Sequence, residues 1–185
     1  MKLKIIYLVF LCFFLSGCGY YRTITGTVVD AETMKPIESA VVMVEWTKQV
    51  GFGEYHTESV KVIEAVTDKN GRVTIEGLFN PFVDPPDLAI YKPGYVTWSN
   101  RAIFPIHKMR EDFSWGSQTF KLERFKQEYS YIDHGAFFDS AINSTININS
   151  KKLIRKTFDD SEKEKYIDEA NKVNEMKQRR EGGGD

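Results

Sequence analysis

Residues Ser59-Val-Lys-Val-Ile-Glu-Ala-Val-Thr-Asp-Lys-Asn-Gly-Arg-Val-Thr-Ile-Glu-Gly-Leu78 carry the reading of the fold. Ser59 to Thr67 is a long run of strand-forming residues. Asp68-Lys-Asn-Gly71 is a turn, because Asn70 and Gly71 tolerate positive φ at little steric cost. Arg72 to Leu78 follows with Val73 and Ile75 facing together, so the stretch predicts a hairpin. Upstream, Ala40 to Trp46 alternates, placing Ala40, Val42, Val44 and Trp46 on one face. Thr23 to Val29 is β-branched and closes at Asp30, where Asp30 to Pro36 forms a loop. Downstream, Phe79 to Asp87 holds Pro81, Pro85 and Pro86 and cannot join a ladder. Leu88 to Tyr91 is a short strand and Lys92-Pro-Gly-Tyr95 a tight turn. Tyr95 to Phe104 and Gln118 to Phe125 supply the last two strands. Seven short strands within about 105 residues predict a mostly β fold, an antiparallel sandwich or barrel.

After Phe125 the texture changes. Ala136, Phe137, Phe138, Ala141 and Ile142 are spaced as one face of a short helix. Ile142 to Ser150 is rich in Asn and Ser and reads as irregular. A second helix is expected from Asp159, with Ser161 and Glu164 in a capping-box pattern and a narrow stripe of Tyr166, Ala170, Val173 and Met176. The expected organisation is therefore a β-domain over 22–125 and a helical extension with a frayed tail over 126–185.

The 185 residues and 42% hydrophobic content suit one packed domain with accessories. A net charge of −1 lacks the clustered basic excess that nucleic acid requires, so no nucleic-acid partner is expected. The two cysteines, Cys12 and Cys18, both lie near the start, which leaves the body without a disulfide or a thiolate zinc site. Lys2 and Lys4 precede an uncharged run from Ile5 to Leu15, too short for the ~20 residues of a membrane-spanning helix but suited to a secretory signal. Leu15-Ser-Gly-Cys18 then resembles the lipobox of bacterial lipoproteins. That resemblance implies a signal peptide over 1–17, a diacylglyceryl anchor on the Cys18 thiol, a tether over 18–21, and attachment to a membrane through lipid. Gly19 stands where an aspartate would imply retention at the inner membrane, so the implied location is the cell envelope at the outer membrane of a Gram-negative bacterium.

Four segments occur in order: Thr25-Gly-Thr-Val-Val-Asp30, Lys35-Pro-Ile-Glu-Ser-Ala-Val-Val42, Thr67-Asp-Lys-Asn-Gly-Arg-Val73 and Lys92-Pro-Gly-Tyr95. Together they resemble the carboxypeptidase regulatory-like domain. The resemblance covers roughly residues 22 to 125. It implies a seven-stranded antiparallel transthyretin-like sandwich with no catalytic role. Gly26 would permit a bulge or a close backbone approach.

No catalytic constellation is legible. His56, His107 and His134 are isolated, without metal-ligand spacing. Asp68-x-Asn70-Gly71 starts like a calcium loop, but the sixth and twelfth positions are Val73 and Phe79. The carboxy-terminal Tyr-Arg-Gly-Ser of transthyretin-like hydrolases is absent, as is a Gly-x-Ser-x-Gly elbow. Neither an enzyme activity nor a cofactor or metal is expected. The candidate binding residues are aromatics in loops: Phe52, Tyr55, Phe79, Phe82 and Trp115. Such rings stack on sugars or anchor a partner, and the competing reading folds them over the ends of the sandwich. The expected role is interaction with an envelope protein or polysaccharide, with an accessory solute- or polysaccharide-binding part in an uptake system as the alternative. A concave aromatic patch would favour a binding module, and a flat strand edge or helix face used for pairing a scaffold.

Overall fold

A computed structural model describes residues 23–80, 82–115, 118–142 and 150–181. The signal, Cys18, the tether and most of the expected irregular segment between Ile142 and Ser150 lie outside the described residues. Nine strands are described: β1 Ile24–Asp30, β2 Val41–Val50, β3 His56–Val66, β4 Arg72–Ile75, β5 Asp87–Tyr91, β6 Trp98–Ser99, β7 Ala102–Ile103, β8 Lys108–Met109 and β9 Gln118–Leu122. Two helices follow, α1 Tyr131–Ile142 and α2 Lys152–Glu181.

One sheet has the order β4-β1-β9, a second β3-β2-β5-β6, and β7 and β8 form a small hairpin of their own. The chain is thus mostly β with a helical carboxy-terminal part, but the expected seven antiparallel strands are corrected on two counts. There are nine described strands in three sheets, and β9 runs parallel to β1, from Gly26 opposite Gln118 to Asp30 opposite Leu122. The run from Tyr95 to Phe104 breaks after Ser99. There the Asn100 carboxamide oxygen accepts from Leu88 N at 2.9 Å and its nitrogen donates to Pro86 O at 3.0 Å, which turns the chain out of the ladder.

The hairpin expected over Ser59 to Leu78 is also corrected. β3 pairs with β2, whereas β4 pairs with β1, so residues 67–71 carry the chain from one sheet to the other. The turn itself forms as expected: Asp68 Oδ1 accepts from the backbone nitrogens of Asn70 and Arg72, both at 2.8 Å. What redirects it is Val28 of β1, whose N–H donates to Gly71 O at 2.7 Å. Gly71 sits at φ 69°, and a Cβ there would overlap the Val28 carbonyl oxygen, so only glycine permits this approach. The true hairpin is β2–β3, with a bulge where Trp46 faces Lys61 and Thr47 faces Ser59.

The two larger sheets bury a common apolar core. Val28, Val73, Ile75, Phe120 and Leu122 of the first meet Val42, Val44, Trp46, Leu88, Ile90 and Trp98 of the second. At Gly26 the space a Cβ would take is occupied by the edge of the Phe120 ring, a side chain rather than the bulge or backbone approach expected there.

The second sheet is covered on its other face too. Val41, Met43, Ala89 and Tyr91 pack against Phe138, Ala141 and Ile142 of α1 and Ile154 and Phe158 of α2. The helical part is therefore a third layer. α2 starts earlier than Asp159, at Lys152, and Ser161 is no cap: its hydroxyl donates to the carbonyls of Thr157 and Phe158 within the helix. The true N-terminal cap comes from the sheet. Glu64 of β3 accepts from Leu153 N at 2.9 Å and Ile154 N at 2.8 Å, placing a carboxylate at the positive end of the helix dipole. Of the expected stripe, Tyr166 and Met176 are exposed, and the inward line runs instead through Ile154, Phe158 and Glu162.

Candidate functional site

The connections define two unlike ends of the β-domain. Residues 31–40 join β1 to β2 and residues 67–71 join β3 to β4, both at one end. The four segments of the family resemblance meet there. Ile37 N donates to Val28 O at 2.9 Å, and the buried Thr67 hydroxyl donates to Ile37 O at 2.7 Å and accepts from Ala40 N at 2.9 Å. Asp30 holds the fourth segment. One carboxylate oxygen accepts from Thr33 N and Thr33 Oγ1, the other from Tyr95 OH at 2.9 Å and Arg124 Nε at 2.7 Å. The backbone hydrogen bond from Thr33, against the opposing effect of burial and with help from Tyr95 and Arg124, holds the Asp30 carboxyl far below the usual carboxylate range. A depressed folded value stabilises the protein above the ordinary carboxylate range, and that stabilisation is lost only as pH falls towards the folded value.

The opposite end gathers the start of β1, the tip of the β2–β3 hairpin, the end of β4 and the start of β5. Phe52 and Tyr55 stand on the hairpin tip, Phe79 and Phe82 on the loop between β4 and β5. Asp84 N donates to Thr47 O at 2.8 Å and ties that loop to the root of the hairpin. Relative exposures are 103% for Phe52, 72% for Tyr55, 78% for Phe79 and 84% for Phe82. Rings so exposed project from their loops. Trp115 differs, being half-buried edge-on against Phe113 with centroids 4.7 Å apart.

The arrangement that most resembles chemistry is one the sequence hid. His134 of α1 lies within 3.0 Å of Glu162 of α2 through Nδ1, and its Nε2 accepts from Thr97 N at 2.9 Å with Thr97 Oγ1 at 3.1 Å. Accepting the Thr97 N–H fixes the tautomer: the ring proton sits on Nδ1 and points at Glu162. Tyr91 of β5 donates to Glu162 Oε1 at 3.0 Å and lies 2.7 Å from Ser161 Oγ. Burial pushes the Tyr91 phenol well above its ordinary value, so it stays a neutral donor. An acid, a histidine and a hydroxyl in line have the parts of a nucleophile triad, but the Nε2 lone pair that would take the hydroxyl proton is already occupied. His134, Glu162 and Thr97 are also buried, at 0%, 2% and 2% exposure. The cluster joins helices to sheet.

A second buried pair has the same role. Lys151 Nζ lies 2.8 Å from Glu45 Oε2 of β2 and also donates to the Ile142 carbonyl at the end of α1. Lys151 and Glu45 are separated by more than a hundred residues in sequence, so no local spacing announces them. Among the described residues no group of three or more His, Cys, Asp or Glu is placed to hold a metal, and no helix is long and apolar enough to cross a membrane.

No family model matches the chain, and no curated protein does. Solved structures give distant likenesses. A shaft pilin, spaA of Lactobacillus rhamnosus GG, is 15% identical with a TM-score of 0.33, covering 57% of this chain and 46% of that one. A streptococcal ancillary pilin is 16% identical with a TM-score of 0.31, covering 59% and 31%. A 9R-lipoxygenase from Cyanothece is 19% identical with a TM-score of 0.31, covering 60% and 17%. The match thus spans about half the length of the shaft pilin chain and less of the other two. TM-scores this low carry no argument about function.

Proposed function

We propose that this chain is a non-catalytic lipoprotein of the bacterial cell envelope, anchored through Cys18 at the outer membrane, whose β-domain binds a partner protein by its open sheet edge. The observation that carries the reading is β3, an eleven-residue strand, His56–Val66, lying at the edge of the four-stranded sheet. An edge of that length offers main-chain donors and acceptors to an added strand, and side chains at alternate positions supply selectivity. The rings of Phe52, Tyr55, Phe79 and Phe82 project from their loops, which favours the scaffold over the solute- or polysaccharide-binding accessory, whose site would be concave. The convergence of the four motif segments on Asp30, Thr67 and Gly71 supports kinship with the carboxypeptidase regulatory-like domain.

Two measurements test the parts separately. Cys18→Ser should abolish incorporation of labelled fatty acid and leave an unprocessed precursor; normal processing and membrane retention would end the anchor reading. Val60→Pro, placed at the existing bulge where the ladder is already interrupted, should abolish co-purification of envelope proteins with the tagged, lipidated chain. An unchanged set of partners on a normally folded variant would end the edge reading.

A further inference from the structure

We infer that the aromatic end of the β-domain is its membrane-contacting surface: Phe52, Tyr55, Phe79 and Phe82 seat at the headgroup level of the bilayer that holds the lipid anchor. The inference rests on acylation of Cys18, as proposed above, and adds the orientation of the domain. Cys18 precedes Thr23, the first described residue, by a tether that spans at most about 17 Å fully extended. β1 begins at Ile24, opposite Ile75 at the end of β4. The loop from β4 to β5 and the tip of the β2–β3 hairpin lie at that same end, as the short crossings at residues 31–40 and 67–71 require. An anchor on so short a leash brings this end against the lipid, and this end carries the four exposed rings.

The chemistry fits a lipid–water interface. Phe and Tyr at loop tips are side chains that settle among headgroups, where one part of the ring meets acyl chains and the rest meets water. Among the described residues the unpaired exposed charges beside them are acidic, Glu54, Glu76 and Asp84, whereas the cations at this end are paired, Lys48 with Glu58 at 3.2 Å and Arg101 with Asp87. Attraction to anionic lipid is therefore not the driving force, and a zwitterionic surface is the occupant. The far side of the molecule agrees. α2 runs from Ile154, beside Glu64, to Glu162, beside Tyr91, and on past Glu169, which accepts from Tyr131 N at 2.7 Å. Its outer part thus points away from the anchored end and is exposed at Met176.

The test uses the full lipidated chain, reconstituted into phosphatidylcholine vesicles brominated on the upper acyl carbons. Phe52→Trp should add emission that shifts to the blue on reconstitution and is quenched by the brominated lipid, measured against the unsubstituted chain. Met176→Trp should add emission that is neither shifted nor quenched. Both positions are exposed, so neither substitution threatens the fold. Mass analysis of the amino-terminal peptide is run on the same sample. An unacylated Cys18 overturns the anchor and this orientation together. An acylated chain whose added emission at position 52 escapes quenching overturns the orientation alone, as does equal quenching at position 176. Loss of a protein or glycan partner on Phe52→Ser, with quenching absent, would assign the rings to that partner instead.

Discussion

The two faces of the four-stranded sheet are both buried, yet they are built from different chemistry. On the inner face Val42, Val44, Trp46, Leu88 and Ile90 meet the other sheet as an apolar core. On the outer face, one residue out of step along the same strands, Val41, Met43 and Ala89 share their layer with Glu45 and the hydroxyl of Tyr91. Apolar contact is non-directional and tolerates sliding; a buried charge pair or hydrogen bond is satisfied in one arrangement only. The inner face therefore supplies cohesion, and the outer face fixes where two helices sit on a flat sheet. Lys151 ties the end of α1 to β2, Glu64 caps α2 from β3, and Glu162 gathers His134 and Tyr91.

The contrast makes graded predictions, each read by chemical unfolding of the full chain. Lys151→Met should have the largest effect, about 3–5 kcal/mol, because it takes the paired cation away from the buried Glu45 carboxylate. Adding Glu45→Leu to that variant should recover most of the loss. A double variant no more stable than the single would show that the pair is not the determinant. Next, Tyr91→Phe should cost about 1–3 kcal/mol, since a buried carboxylate oxygen of Glu162 loses its donor. Its neighbour on the other face, Ile90→Val, removes only one methylene from an apolar core and should cost about 0.5–1.5 kcal/mol. If the Ile90 change were the more damaging of the two, the division of labour between the faces would be wrong. Smallest of all, truncation after Asn171 should shift stability by less than about 0.5 kcal/mol, because the described side chains it removes are exposed apart from the half-buried Val173.

Much of the inner face is legible in the sequence. Alternation in Ala40 to Trp46 picks out Val42, Val44 and Trp46 on one side, and they lie together in the core. Asp68 to Gly71 reads as a turn because its capping bonds are local. Its consequence does not: whether the chain folds back on β3 or crosses to β1 depends on Val28, forty-three residues before Gly71. The outer face is equally hidden. Met43 and Glu45 fall on the side an alternating strand would give to solvent, and only the helices arriving from residues 131–181 bury them. His134 has no local partner in the sequence, since Glu162 and Thr97 are 28 and 37 residues away.

The sequence by itself determined most of the longer strands, the turn at Asp68–Gly71, the first helix and the amino-terminal signal pattern, because each is set by side chains within a few residues of one another. Only the tertiary structure decided which strands pair, where α2 begins, and that a histidine, two glutamates and a lysine lie buried between sheet and helices. Those outcomes depend on contacts between residues distant in the chain, whose free energy appears only when the sheet and helices enclose them together.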